Sequence, residues 1–197
     1  MDLDNTILST SSGPTFRKSK AGRFDQISIT LHWATVLLVC AQFTTAWWFN
    51  QGGPESTLLL MLHRSMGIAT LGVVVSRLIW RRTAAHLPPF PVSMPKIQKW
   101  AAQGVEFALY GLLLLQTLTG LGDTLFRGRA FVAFGMQIPK LLQANKPVAH
   151  LLHNIHELSA WVLLGFIGIH ATAALFHGMI ARDGVLQRML PWTPRDM

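Results

Sequence analysis

The chain has 197 residues, of which 50% are apolar and 13% charged, and its mean hydropathy is +0.35. Ordinary soluble domains carry about 25% charged residues, so this composition excludes a typical water-soluble fold and points to the membrane. The net charge of +8 does not mark a nucleic-acid binder, because the seventeen Lys and Arg flank apolar runs instead of forming one basic stripe.

Residues 1–26 lack the apolar core of a signal peptide. Polar Ser9 to Ser12 followed by Gly13-Pro14 argue against fixed structure, so 1–22 is expected to be a mobile cytoplasmic tail. Four runs then reach the roughly 20 apolar residues that cross a hydrocarbon core, at 27–49, 58–80, 100–122 and about 152–180. In lipid each backbone polar group needs an internal partner, so all four are expected to be helical. The connections are a short turn at 50–57, a Pro-rich and basic segment at 81–99, and a long loop at 123–151. The expected fold is all-α: an integral membrane four-helix up-down bundle over 23–192, with 193–197 as a C-terminal tail.

The basic residues set an expected orientation. Arg17, Lys18, Lys20 and Arg23 precede the first run, Arg77, Arg81, Arg82, Lys96 and Lys99 lie between the second and third, and Arg182, Arg188 and Arg195 follow the fourth. Twelve of the seventeen thus share one side, which places both termini in the cytoplasm. Arg127, Arg129, Lys140 and Lys146 in the long loop oppose that bias. Trp33, Trp80 and Trp100 near inner boundaries, with Trp47 and Trp48 near an outer one, match an aromatic belt.

Eight histidines are many for so apolar a chain, and ionisable residues within a membrane usually face the bundle interior. His32 lies near the inner end of the first run and His63 near the outer end of the second; the fourth carries His150, His153, His156, His170 and His177. His156 and His170 are 14 residues apart, which at 1.5 Å and 100° per residue separates them by about 21 Å along the axis and only about 40° around it. The fourth helix can therefore offer one imidazole at each of two depths, facing His32 at one and His63 at the other. Haem iron held by two axial imidazoles needs that arrangement twice, giving two b-type haems. Spacing alone also admits His153 or His177; His156 and His170 are preferred because they lie inside the apolar segment. The plainer reading of any single histidine is a hydrogen bond between helices. A Zn or Cu centre would want three or four ligands at one level, where the sequence offers pairs. The single Cys40 excludes an intrachain disulfide and a cysteine metal site.

Other polar residues fit the same picture. Arg77, 14 residues after His63, shares its face at the inner level, where it is a candidate partner for haem propionates or a snorkelling surface residue. Arg64 is placed to reach the outer propionates or the outer surface, and Gly67, one turn after His63, leaves room for a flat ring. Glu106 reads as a partly wet residue at the inner boundary.

In order along the chain, RFDQISITLHW, LHRSMG, VSRLIWR, RAFVAFGMQIP, NIHELSAW, GIHATAALFHG and DGVLQRMLPW resemble the prokaryotic cytochrome b561 family, four-helix di-haem membrane proteins, over residues 23–192. The resemblance implies that His32 pairs with His170 on one haem and His63 with His156 on the other. It implies electron exchange with quinone in the bacterial inner membrane. One branch, similar in length and in the third loop, oxidises superoxide and passes the electron to ubiquinone; another anchors larger enzymes such as hydrogenases.

The expected function is therefore single-electron transfer to or from the quinone pool, as an electron-transfer oxidoreductase with superoxide or a periplasmic redox protein as donor. The alternatives are a haem-bearing anchor for a dehydrogenase or hydrogenase, and a His-dependent proton or metal-ion transporter. The long loop bears four basic residues and no acid between 124 and 149, and its apolar centre is expected to lie on the outer membrane surface and roof the outer haem. Such a surface would steer a small anion inward or attract anionic lipid, and the outer loop is the preferred place for quinone.

Overall fold

A computed structural model describes residues 22–91 and 94–192. The expected tails over 1–22 and 193–197 thus lie outside the described residues, apart from Gly22, as do Arg17, Lys18, Lys20 and Arg195. Four long helices follow in order: α1 (Gln26–Phe49), α2 (Ser56–Thr83), α3 (Lys96–Phe126) and α4 (Lys146–Phe176). Among the described residues these are the helices long and apolar enough to cross a membrane, α4 being counted with its continuation to Ala181. A two-stranded hairpin, β1 (Phe131–Ala133) and β2 (Met136–Ile138), lies between α3 and α4.

Each helix starts for a local reason. Asp25 caps α1: its carboxylate accepts from the Ser28 N–H at 2.9 Å and the Ser28 hydroxyl at 2.7 Å. It also accepts from Trp80 Nε1 at 2.9 Å and the His86 N–H at 3.2 Å, tying the start of α1 to the end of α2. Burial pushes the Asp25 carboxyl upward, but the Ser28, Trp80 and His86 hydrogen bonds outweigh it and hold the pKa at about 2. Its folded value lies below the ordinary 3.8, so its contribution to stability is present above that pH and is lost as pH falls through about 2. Asp25→Ala is expected to cost about 1 kcal/mol through the lost cap, read as a lower midpoint of thermal unfolding in detergent at neutral pH.

Asn145 caps α4, accepting from the Val148 N–H at 3.2 Å, and its own N–H donates to the Phe126 carbonyl at 2.9 Å. That bond draws the two ends of the long loop together. Gly128, with φ of +63°, makes the approach possible, since a Cβ there would sit 2.6 Å from the Ala144 backbone.

Within the bundle α1 packs on α2, α3 on α4, and α2 on α3, whereas α4 approaches α1 and α2 closely at only a few backbone positions among the described residues. The core lies at mid-depth: Val74 (0% exposed), Tyr110, Leu113 and Leu163 (2% exposed), flanked by Val39, Phe43 and Ile167. Leu163 is seven residues from His156 and seven from His170, so this apolar layer separates the two histidine levels. The outward residues are apolar as well, with Trp47, Trp48, Trp100 and Trp161 each at least 60% exposed, as lipid requires.

The ends of the bundle are closed differently. At one end the hairpin lies on α2, where the Phe134 N–H donates to Ser65 Oγ at 2.8 Å. Its two-residue turn has positive φ at both central positions, Phe134 (+53°) and Gly135 (+75°), the form whose twist suits a tight hairpin. At the other end α4 continues as a π-helical turn, His177–Ala181, and the chain doubles back through a 3-10 turn, Leu186–Met189. This strap is pinned by Trp33 Nε1 donating to the Met189 carbonyl at 2.8 Å, Arg188 donating to the Pro89 carbonyl at 2.6 Å, and Arg23 donating to the Leu190 carbonyl.

The sequence boundaries need adjustment. The helices outrun their apolar runs, most of all α3 at both ends and α4 at its start, so the long connection narrows to residues 127–145. Polar residues such as Lys96 and Asp123 extend the helices beyond the apolar stretch that hydropathy detects.

Candidate haem centres

The geometry brings the four principal histidines together as two pairs. His32 of α1 faces His170 of α4 at the end that bears the strap, with ring centroids 6.3 Å apart and planes at 61°. His63 of α2 faces His156 of α4 at the hairpin end, with centroids 6.2 Å apart and planes at 85°. An iron bound about 2.0 Å from each of two imidazole nitrogens, with each ring centre about 1.2 Å further out, separates the centroids by about 6.4 Å. Both pairs thus stand at the span of two axial ligands. No group of three or more His, Cys, Asp or Glu that could hold a metal ion occurs among the described residues.

The hairpin-end rings are oriented by neighbouring helices. His63 Nδ1 lies 3.2 Å from the Gln42 carbonyl and 3.3 Å from Thr45 Oγ1, and the Gln42 side-chain amide also reaches it, at 2.9 Å. His156 Nδ1 donates to the Gln116 carbonyl at 2.9 Å, with Thr119 Oγ1 at 3.4 Å. With Nδ1 carrying the proton, Nε2 keeps its lone pair, the tautomer that iron requires. The Gln116 amide nitrogen lies 3.2 Å from His156 Nε2, and its oxygen accepts from Ser159 Oγ at 2.6 Å. Gly120 lets the His156 ring lie against α3, since a Cβ there would stand 2.8 Å from His156 Cε1. At the strap end the contrast is plain: among the described residues the buried His32 Nδ1 has no hydrogen-bond partner, and His170 is exposed.

The remaining candidates have definite places. The Arg77 guanidinium stacks over the Tyr110 ring at 5.1 Å, beside a small cavity bounded by Ser28, Arg81, Glu106 and Met189. Glu106 is paired with Arg81 through contacts of 2.8 and 3.0 Å. Arg64 stacks over Phe131 of the hairpin at 5.9 Å. Gly67 is met from α1 by the Gln42 amide, 3.2 Å from where a Cβ would sit. His153 is 3.4 Å from Asp123, which Arg127 also binds, and His177 is 2.6 Å from Asp183. His150 and His86 are exposed. Sequence reasoning missed Thr45, Gln116, Thr119 and Gly120. The available signal was the polar residues inside apolar spans, which usually face the bundle interior.

A membrane-spanning four-helix bundle with two facing histidine pairs defines a class, the membrane b-type cytochromes. The family model for prokaryotic cytochrome b561 matches residues 23–192, and the chain belongs to that family of multi-pass haem proteins of the bacterial inner membrane. It is 31% identical over 174 residues to cytochrome b561 homolog 1 of Escherichia coli K12, covering 86% of this chain and 97% of that protein. It is 30% identical over 171 residues to the probable superoxide oxidase CybB of Yersinia pestis, covering 86% and 96%. Cytochrome b561 homolog 2 of Escherichia coli K12 is 28% identical over 184 residues, covering 88% and 94%. Family membership carries haem b binding and electron transfer.

Proposed function

We propose that the protein binds two b haems, His32 and His170 holding one and His63 and His156 the other, and exchanges single electrons with the quinone pool, superoxide being the donor. The observation that carries the reading is the double pairing of imidazoles at 6.3 and 6.2 Å on helices that otherwise stand apart. A haem with two axial histidines supplies one-electron oxidation and reduction with no open coordination position. The protein's part is to set depth, orientation and electrostatics. We place both termini in the cytoplasm: Arg23, Arg77, Arg81, Arg82, Lys96, Lys99, Arg182 and Arg188 are on that side of the chain's apolar spans.

Superoxide as donor is supported by the name of the Yersinia pestis relative, a probable superoxide oxidase, and by the loop between α3 and α4. Arg127, Arg129 and Lys140 in that loop, with Lys146 at the start of α4, lie in a stretch from 124 to 149 that holds no acidic residue, and such a surface would raise the local concentration of a small anion. The test is anaerobic mixing of the purified oxidised protein with superoxide, followed at the haem absorption bands. Reduction is expected to be fast and to slow as ionic strength rises, because exposed charges are screened. An oxidised spectrum that superoxide leaves unchanged removes it as donor, and a stoichiometric partner enzyme that copurifies would favour the anchor role.

A further inference from the structure

The two histidine levels differ in one respect that bears on the direction of electron flow. At the hairpin end both rings are held by the same device. Gln42 and Thr45 of α1 cradle His63 of α2, and Gln116 and Thr119 of α3 cradle His156 of α4. The device is a Gln-x-x-Thr repeat, QFTT in α1 and QTLT in α3, each on the helix packed beside the histidine. Its glutamine offers a backbone carbonyl. Its threonine hydroxyl spends its own proton on the carbonyl four residues back, Thr45 on Ala41 at 2.8 Å and Thr119 on Leu115 at 2.7 Å. A lone pair on each hydroxyl is thus left to face Nδ1. At the strap end no such device serves His32 among the described residues, where its buried Nδ1 has no hydrogen-bond partner. Instead this level holds a cation, Arg77, stacked on Tyr110 beside a small cavity that Ser28 of α1 and Met189 of the strap also line.

We propose that the paired Gln-x-x-Thr elements make the hairpin-end haem the lower-potential centre and that Arg77 makes the strap-end haem the higher, so electrons move from the hairpin end to the strap end. The inference rests on the ligand pairs proposed above. A hydrogen bond accepted from Nδ1–H makes the imidazole more basic, and a more electron-rich ligand favours ferric iron. A fixed cation near the other pair favours ferrous iron there. Both effects act in the same direction. With both haems bound, one electron would be lost at the hairpin-end iron and gained at the strap-end iron, with no bond broken and no proton moved. Thr45 and Thr119 are positioning residues, acting through the histidines.

The test is anaerobic optical redox titration of the purified holoprotein. Wild type is expected to show two midpoints. Thr45→Val with Thr119→Val should raise the lower one and leave the upper in place, with haem content unchanged. Thr45→Ser with Thr119→Ser, which restores the hydroxyls, should return the lower midpoint to its wild-type value, an effect that loss of packing would not reproduce. Arg77→Gln should lower the upper midpoint alone. Unmoved midpoints in the Val variant, or movement of the upper one, overturn the proposal. A wild type binding one haem per chain defeats the ligand assignment itself and is read separately, from the haem-to-protein ratio.

Discussion

His63→Ala and His170→Ala are each expected to bind half the haem of the wild type. Each change removes one imidazole from a different pair, and the pairs lie on opposite sides of the apolar layer around Leu163. A single remaining imidazole leaves one face of the iron without its axial partner, whereas the other pair keeps both of its rings. The haem-to-protein ratio of purified protein measures this. The variants should also differ in spectrum, because the ring planes cross at 61° in one pair and 85° in the other and because only the hairpin-end rings are anchored through Nδ1. Full haem content in either variant would remove that residue from the ligand set, and loss of all haem from both would show that the two levels do not fill independently.

Gly120→Val is expected to lose the hairpin-end haem while keeping the strap-end haem and the helical fold. The Cβ would lie 2.8 Å from His156 Cε1 and 3.0 Å from Nδ1, closer than side-chain carbons approach in real structures. The ring cannot simply slide away, because its Nδ1 is bonded to the Gln116 carbonyl on the same helix. Forcing atoms into such a contact typically costs 1–3 kcal/mol in a packed interior, so the ring is expected to rotate off the iron axis instead. Haem content close to half, with unchanged helicity by circular dichroism, is the expected outcome. Retention of both haems would show that α3 and α4 separate enough to absorb the added methyl groups.

The helices and the paired histidines were legible in the sequence because each depends on a one-dimensional signal. An apolar run of about 20 residues has few fates other than a span, and the 14-residue interval between His156 and His170 gives two depths on one face, while the choice of these two over His153 and His177 came from the family resemblance. The hairpin was not legible. Its strands have three residues each, and its turn places Phe134 in the left-handed region, where an aromatic residue is uncommon. The strap was hidden for a related reason, since a π-helical turn and a 3-10 turn carry no hydropathy period of their own. The partners of the histidines were missed because hydrogen bonds between helices depend on which faces meet. Gln42 and Gln116 are unremarkable in a linear reading and become specific only when α1 lies on α2 and α3 on α4. The aromatic rings on which Arg64 and Arg77 stack, Phe131 and Tyr110, come from other elements and were not legible either.

The standoff of α4 from α1 and α2 has a consequence for biogenesis. Translation delivers α1 with α2 and then α3 with α4, each couple joined by its own connection, and in the finished bundle the seam between the couples is closed by protein chiefly where α2 meets α3. With the ligand pairs proposed above, porphyrin would complete the rest of that seam, and its binding energy would add directly to the stability of the folded chain. Cells starved of iron or of porphyrin precursors are therefore expected to accumulate little of this cytochrome however strongly its message is expressed, because the unfilled polypeptide is the form that membrane proteases can pry open.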